Sequence, residues 1–222
     1  MDLFERSWTA LLAAVAGLSD EDFERPSGCA GWLVRDLACH LVIDAQDVLI
    51  TLVTPAVTEP TADAVSYWDV GDEPPTGDDP LDALIPRLAA AYGEPRWLKF
   101  HLDDVGSAAG RAAGRAAGLA DRTARVSTQG KVLTVGDFLS AYVLEWTLHH
   151  LDLVAHLPSV AGPSAEALAA ARALLEGIAG AAFPGSFSDA DALLVGTGRR
   201  AASGAEEAAL GGLAARVPLI LG

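Results

Sequence analysis

Apolar residues recur at every third or fourth position over residues 3–17 and again over 31–53 (GWLVRDLACHLVIDAQDVLITLV), where Pro55 stops the pattern. Such spacing predicts two helices, each with one face turned to a core. Thr134-Val-Gly-Asp137 resembles a capping box and predicts the start of another helix that ends before Pro158. An alanine-rich helix is expected over 164–180, then a turn rich in Gly, Phe, Pro and Ser at 183–188, then LLVGTGRR. Ser203 and Glu206 open a last helical stretch. Period-two alternation is confined to TARVSTQGKVLTV, where Gln129 and Gly130 are placed to turn a short hairpin between 123 and 134. The fold class is therefore mainly α.

Between the second helix and the hairpin the pattern is broken. Residues 55–80 turn to Pro, Thr, Gly and Asp, the composition of a loop, with Tyr67 and Trp68 as anchors. Loops of this length in a compact domain are either lids or binding loops, or plain disorder. A helix is expected to begin at Asp79 as N-cap with Pro80 in its first turn, divided by Pro86 and the Gly93–Pro95 segment. AAGRAAGRAAG at 108–118 places Gly110, Gly114 and Gly118 on one helical face, which suits close helix packing. A sharper alternative has Arg111 and Arg115 presenting a cationic edge to an anionic ligand.

The 222 residues are half apolar, enough for a substantial core. They divide at about residue 160 into a helical bundle (1–160) and a small carboxy-terminal module packed on it (161–222). A formal charge of −15, with Lys99 and Lys131 the only lysines, opposes binding to a phosphate backbone or an anionic membrane. The acidic amino terminus lacks the basic start of a secretory signal, and the longest apolar run, VLITLV, is too short for a membrane span. Cys29 and Cys39 are too few for a disulfide framework, and Cys39 reads as a small buried hydrophobe. The expectation is a cytoplasmic protein, a monomer or homodimer, whose partners are small molecules.

Candidate chemistry enters with LEWTLHHLDLVAHL, 144–157. At about 100° per residue, Glu145, His149, Asp152 and His156 fall within an arc of roughly 60°, a polar stripe on an otherwise apolar helix. Glu145 and His149, four apart, reach a common point above the helix surface, a carboxylate–imidazole pair suited to zinc or ferrous iron. A third ligand must come from elsewhere. The second helix offers His40, on a stripe with Asp36, Asp44 and Asp47 that spans roughly 80°. The same spacing serves equally well a water-facing stripe on which His40 is a surface or helix-packing histidine.

Two stretches carry a resemblance. PSGCAGWLVRDLACHLV, with Trp32 eight residues before His40, and LTVGDFLSAYVLEWTLHHLDLVAHL together resemble the mycothiol-dependent maleylpyruvate isomerase family, within the DinB-like superfamily of metal-binding bundles. The resemblance covers most of residues 1–160. It implies a DinB-like four-helix bundle whose metal triad falls on His40, Glu145 and His149. Asp36 and Asp152 would hold the imidazole N–H groups from behind. LLVGTGRRAA, 193–202, resembles the family's carboxy-terminal ending and points to Arg199 for substrate handling. His150, His156 and His101 stay outside the ligand set. The implied activity is that of a zinc-dependent enzyme that activates a low-molecular-weight thiol, mycothiol, an actinobacterial cofactor. The reaction would be S-transfer to a small electrophile or its thiol-assisted isomerisation. Two alternatives stand beside it: a non-catalytic bundle that binds a ligand or partner, and non-haem Fe(II) chemistry at the same two histidines and carboxylate.

Overall fold

The computed structural model describes residues 2–71, 83–119 and 123–221. The amino-terminal helix α1 (Leu3–Ala16) is capped by Asp2, whose carboxylate accepts the Glu5 N–H at 3.0 Å, and it buries Phe4, Trp8, Leu11 and Val15 along one face. Helix α2 (Val34–Leu52) starts three residues later than its apolar pattern predicts. The chain before it is pulled straight: Pro26 pairs with Leu33 in a β-bridge, and Gly31 turns at φ +77°. Helices α3 (Leu84–Ala91) and α4 (Pro95–Leu119) follow, joined through Gly93 at φ +72°. Pro86 does not divide a helix but sits in the first turn of α3, where its missing N–H breaks no bond. The expected start at Asp79 and Pro80 lies outside the described residues.

The hairpin forms as expected. Strands β2 (Arg125–Thr128) and β3 (Lys131–Thr134) pair antiparallel, after the two-residue strand β1 (Val70–Gly71). Gln129 and Gly130 take φ 47° and 76°, the doubly left-handed turn whose twist suits a tight hairpin. Thr134 then caps α5 (Val135–Val154), its hydroxyl accepting the Asp137 N–H at 3.0 Å. Helix α6 (Ala165–Ala179) ends on Gly180 in the left-handed conformation, and α7 (Asp189–Gly196) and α8 (Gly204–Leu210) complete the helices. Ser203 and Glu206 form the expected capping box. The turn between α6 and α7 is tied by Arg172, which donates to Phe183 O, Phe187 O and Asp189. Strand β4 (Ile220–Leu221) pairs with β1, a two-residue ladder for which the sequence carries no alternation signal.

Helices α1, α2, α4 and α5 form the bundle: α1 and α2 each pack against both α4 and α5. Its centre is aromatic. Trp8 stacks on Trp146 with ring centroids 4.0 Å apart, Phe4 meets the same ring at 4.4 Å, and Trp8 Nε1 donates to Gly106 O at 2.7 Å. Helix α6 lies against α5 on the outside of the bundle, α3 against α2, and the carboxy-terminal residues Leu193, Leu210, Leu213 and Leu219 belong to the same apolar cluster. Tyr67 and Trp68 anchor the loop after α2, at 8% and 9% exposure. Lys131 Nζ holds that loop by donating to Tyr67 O and Asp69.

Of the glycines expected to pack closely, Gly110 lies against Trp8 and Gly114 is open, and the closest approach is at a glycine outside the repeat. A Cβ on Gly106 would stand 2.8 Å from Trp8 Cζ2 and 2.9 Å from a Leu12 methyl. On Gly114 it would meet nothing nearer than 3.9 Å. Gly106→Ala is expected to destabilise by about 1–3 kcal/mol through overpacking. Gly114→Ala is expected to stabilise by up to about 1 kcal/mol through helix propensity. Urea unfolding monitored by circular dichroism checks both, and equal effects would show that α1 and α4 are not in this register.

Candidate metal centre

Helix α5 is buried almost all the way round, so Glu145, His149 and Asp152 of the polar stripe face the protein interior, while His156 lies beyond the helix end and is exposed. His149 is 7% exposed and Asp152 1%. Helix α2 packs beside this stripe and brings His40 to it, the His40 and His149 rings meeting edge to face at 4.8 Å. His40 Nε2 lies 3.8 Å from Glu145 Oε1, and His149 Nε2 lies 3.0 Å from the same oxygen. Ligand atoms about 2.0–2.2 Å from a tetrahedral zinc are about 3.3–3.6 Å from one another. The spacings match to within a few tenths of an ångström. Trp32 stands edge-on to His40 with centroids 5.4 Å apart, so the tryptophan of the amino-terminal motif packs directly on this imidazole.

Behind His149 stands Asp152. A carboxylate only accepts, so His149 donates from Nδ1 to Asp152 Oδ2 at 3.2 Å and from Nε2 to Glu145 Oε1 at 3.0 Å; were a cation to replace the Nε2 proton, Asp152 would keep the proton on Nδ1. Asp152 is itself held from three sides. Arg199 donates through Nε to Oδ1 at 2.9 Å and through a terminal nitrogen to Oδ2 at 3.0 Å. The Cys29 thiol donates to Oδ2 at 3.3 Å. The Gly28 N–H donates to the Asp152 carbonyl at 2.8 Å. Gly28 has to be glycine for this approach, because a Cβ would fall 2.7 Å from Asp152 Oδ1. The loop of the amino-terminal motif is thus pressed onto the middle of the chain.

The charges of the site follow from this packing. Burial favours the neutral form of Glu145, but the two imidazoles beside it outweigh that and hold its carboxyl well below the usual range. Burial likewise opposes ionisation of Asp152, and the hydrogen bond from His149 together with the Arg199 guanidinium overcomes it. His149 is pushed the other way: burial disfavours its cation, yet Glu145 and Asp152 raise its pKa well above the ordinary histidine value. Asp44 ends above its reference, at about 6, because burial dominates and His40 only partly compensates.

The residues singled out in the sequence fare differently. His40, Glu145 and His149 converge, and Asp152 backs His149. Asp36 takes another role: its carboxylate accepts the Leu33 N–H at 2.8 Å, capping α2, and makes no hydrogen bond to His40 among the described residues. Arg199 approaches the site through Asp152, with two of its nitrogens engaged there. His150 donates from Nε2 to Ala161 O at 2.9 Å, tying α5 to the chain that leads into α6, and His156 is exposed. His101 has a partner after all, the Tyr92 hydroxyl at 2.6 Å from Nδ1. Arg111 and Arg115 are exposed on α4. Cys39 is buried, its thiol pushed up to about 11 by burial and then by Asp36.

Sequence reasoning missed the part played by Cys29 and Gly28, whose contacts with α5 have no local signature. It also left Asp44 out of the ligand group. Its ligand atom falls with those of His40, Glu145 and His149 in one cluster, all within 4.8 Å of each other. The signal was present in the sequence, since Asp44 is four residues after His40.

Comparison with known families gives one finding. The model of the mycothiol maleylpyruvate isomerase N-terminal domain matches residues 4–154, and the chain belongs to that family. No curated protein and no solved structure matches it significantly. Among the described residues no helix is long and apolar enough to cross a membrane.

Asp152→Asn tests the backing group. The variant keeps the shape but leaves the Arg199 guanidinium without its charge partner, and it is expected to lose about 3 kcal/mol of stability in the metal-free protein. Differential scanning calorimetry reads the loss, and an unchanged melting temperature would mean that the Asp152–Arg199 pair is not formed.

Proposed function

We propose that this family member is a zinc-dependent enzyme that activates a low-molecular-weight thiol, mycothiol, for attack on a small electrophilic substrate. The observation that carries the reading is the convergence of His40 Nε2, Glu145 Oε1 and His149 Nε2 from two helices onto one point. Membership of the mycothiol maleylpyruvate isomerase N-terminal domain family supplies the thiol.

The donor set fits a cation. Two imidazole nitrogens and a carboxylate are borderline ligands that suit zinc, and Glu145 stays ionised there. A dication held at this point would stabilise a thiolate over a thiol and so supply a nucleophile at neutral pH. The chain's own residues do the rest. Asp152 keeps the His149 Nδ1 proton in place, so that Nε2 is the atom presented to the cation. Arg199 and Cys29 keep Asp152 oriented. His40 and Glu145 retain 24% and 23% side-chain exposure, so the centre lies at an end of the bundle that a solute can reach.

The thiolate adds to the electrophilic carbon of a conjugated double bond. Rotation about the carbon–carbon bond that the addition leaves single, followed by cleavage of the carbon–sulfur bond, would return the thiol and the isomerised substrate. Protonation of the adduct without elimination leaves a thioether, the product of S-transfer. The same donor set also suits ferrous iron, and metal analysis of protein purified with and without oxygen separates the two.

Two experiments test this reading. His149→Ala is expected to abolish stoichiometric metal binding and thiol-dependent turnover while the helical circular dichroism is kept. A variant that retains one tightly bound zinc contradicts the ligand set. Mass spectrometry after incubating protein, zinc, mycothiol and a panel of electrophiles is expected to show enzyme-dependent adducts or isomers. Metal binding with no thiol chemistry on any of them would point instead to a binding protein.

A further inference from the structure

One acidic group at the centre has no use in the reading above. Asp44 lies one turn beyond His40 on α2, 7% exposed, with Oδ1 3.5 Å from His40 Nε2. Its other oxygen, Oδ2, is buried and has no hydrogen-bond partner among the described residues. A buried carboxylate oxygen without a donor costs a few kcal/mol, and natural structures rarely tolerate it without compensation. The neighbours provide it only in part: His40 and His149 favour the ionised form, but neither donates to Oδ2. Glu145 carries the same charge, and Asp47 is itself an acceptor, engaged by the Tyr142 hydroxyl. An ordinary capping role is excluded as well, since Asp44 sits in the middle of α2.

A cation bound through Oδ1 would offset the charge of this buried carboxylate. The 3.5 Å from Asp44 Oδ1 to His40 Nε2 falls within the ligand-to-ligand spacing of a tetrahedral zinc site, and the 3.8 Å and 3.0 Å from Glu145 Oε1 to His40 Nε2 and His149 Nε2 lie within a few tenths of an ångström of it. Resting on the metal reading above, we propose that Asp44 is a fourth protein ligand, so that the ion is held by His40, Asp44, Glu145 and His149. Two carboxylates then balance the dication and the centre is neutral. The position that a three-residue set leaves open is filled by Asp44 in the resting protein. A thiol enters either by displacing the Asp44 carboxylate or by raising the coordination number to five. Asp44 therefore has opposing effects: it strengthens metal binding and weakens thiol binding.

The test uses the full-length protein, Asp44→Asn, Asp44→Ala and His149→Ala, with no substrate present. Zinc affinity is measured by competition with a chromophoric chelator, and cobalt(II) is substituted to read coordination from its visible absorption. Both Asp44 variants are expected to bind zinc at least about tenfold more weakly than the parent. Their cobalt spectra should differ from the parent's, and mycothiol should perturb them at lower concentration. In the metal-free state Asp44→Asn is expected to be at least as stable as the parent, since it removes a buried charge that His40 only partly offsets, so failure to fold does not obscure the result. Parental zinc affinity and an unchanged cobalt spectrum in both Asp44 variants, with binding lost in His149→Ala, would overturn the fourth ligand alone. A parent protein that takes up neither metal would overturn the metal centre itself.

Discussion

Burial of charge on α5 is the constraint from which the rest of the structure follows. Glu145, His149 and Asp152 lie on a helix whose other residues are almost all core, and an ionised group in such a place is tolerated only if it is paired. The protein pairs them in series. His40 and His149 flank Glu145, Asp152 takes the far nitrogen of His149, and Arg199 closes the row from the carboxy-terminal segment. Glu145, His149 and Asp152 depend on their neighbours in the row for their ionisation states. The row therefore runs from a partly accessible end at His40 to a dry end at Asp152.

This row explains why distant segments are held where they are. The loop over residues 26–33 must lie flat on α5 for Gly28 and Cys29 to reach Asp152, which is why it is bridged and why α2 begins late. The carboxy-terminal segment has an electrostatic reason to stay docked: without Arg199, Asp152 would be a buried anion balanced only by His149. The β1–β4 ladder and the shared apolar cluster fix the same segment from other sides. The family match ends at residue 154, yet the residue that completes the row is Arg199.

Features with a local cause were legible from the sequence. The hairpin follows from Gln129-Gly130, α5 from the Thr134 cap, and α8 from the Ser203–Glu206 box, each a short-range device that tertiary contacts have no reason to override. The Glu145–His149 pair was visible because four residues make one helical turn, the stripe on the second helix offered His40 as a third ligand, and family resemblance favoured that reading over a surface histidine. Features with a long-range cause were not legible. The start of α2 is set by a contact with α5, the β1–β4 pair joins residues 70–71 to residues 220–221, and Cys29 gains its role only by lying on Asp152. Asp36 misled because its spacing from His40 fits a supporting carboxylate as well as it fits a helix cap, and the nearer partner, the Leu33 N–H, claimed it. Wheel angles also place Asp152 and His156 on one stripe without distinguishing them. Only packing shows that the first is buried and the second exposed.

The central claim is that His40, Glu145 and His149 hold one ion between α2 and α5. Anomalous X-ray scattering at the zinc edge, from crystals of the zinc-loaded protein, tests it most directly. The account predicts a single strong peak about 2.0–2.2 Å from His40 Nε2, a Glu145 carboxylate oxygen and His149 Nε2. A fully loaded crystal with no peak there, or with zinc bound only elsewhere on the acidic surface, would contradict it.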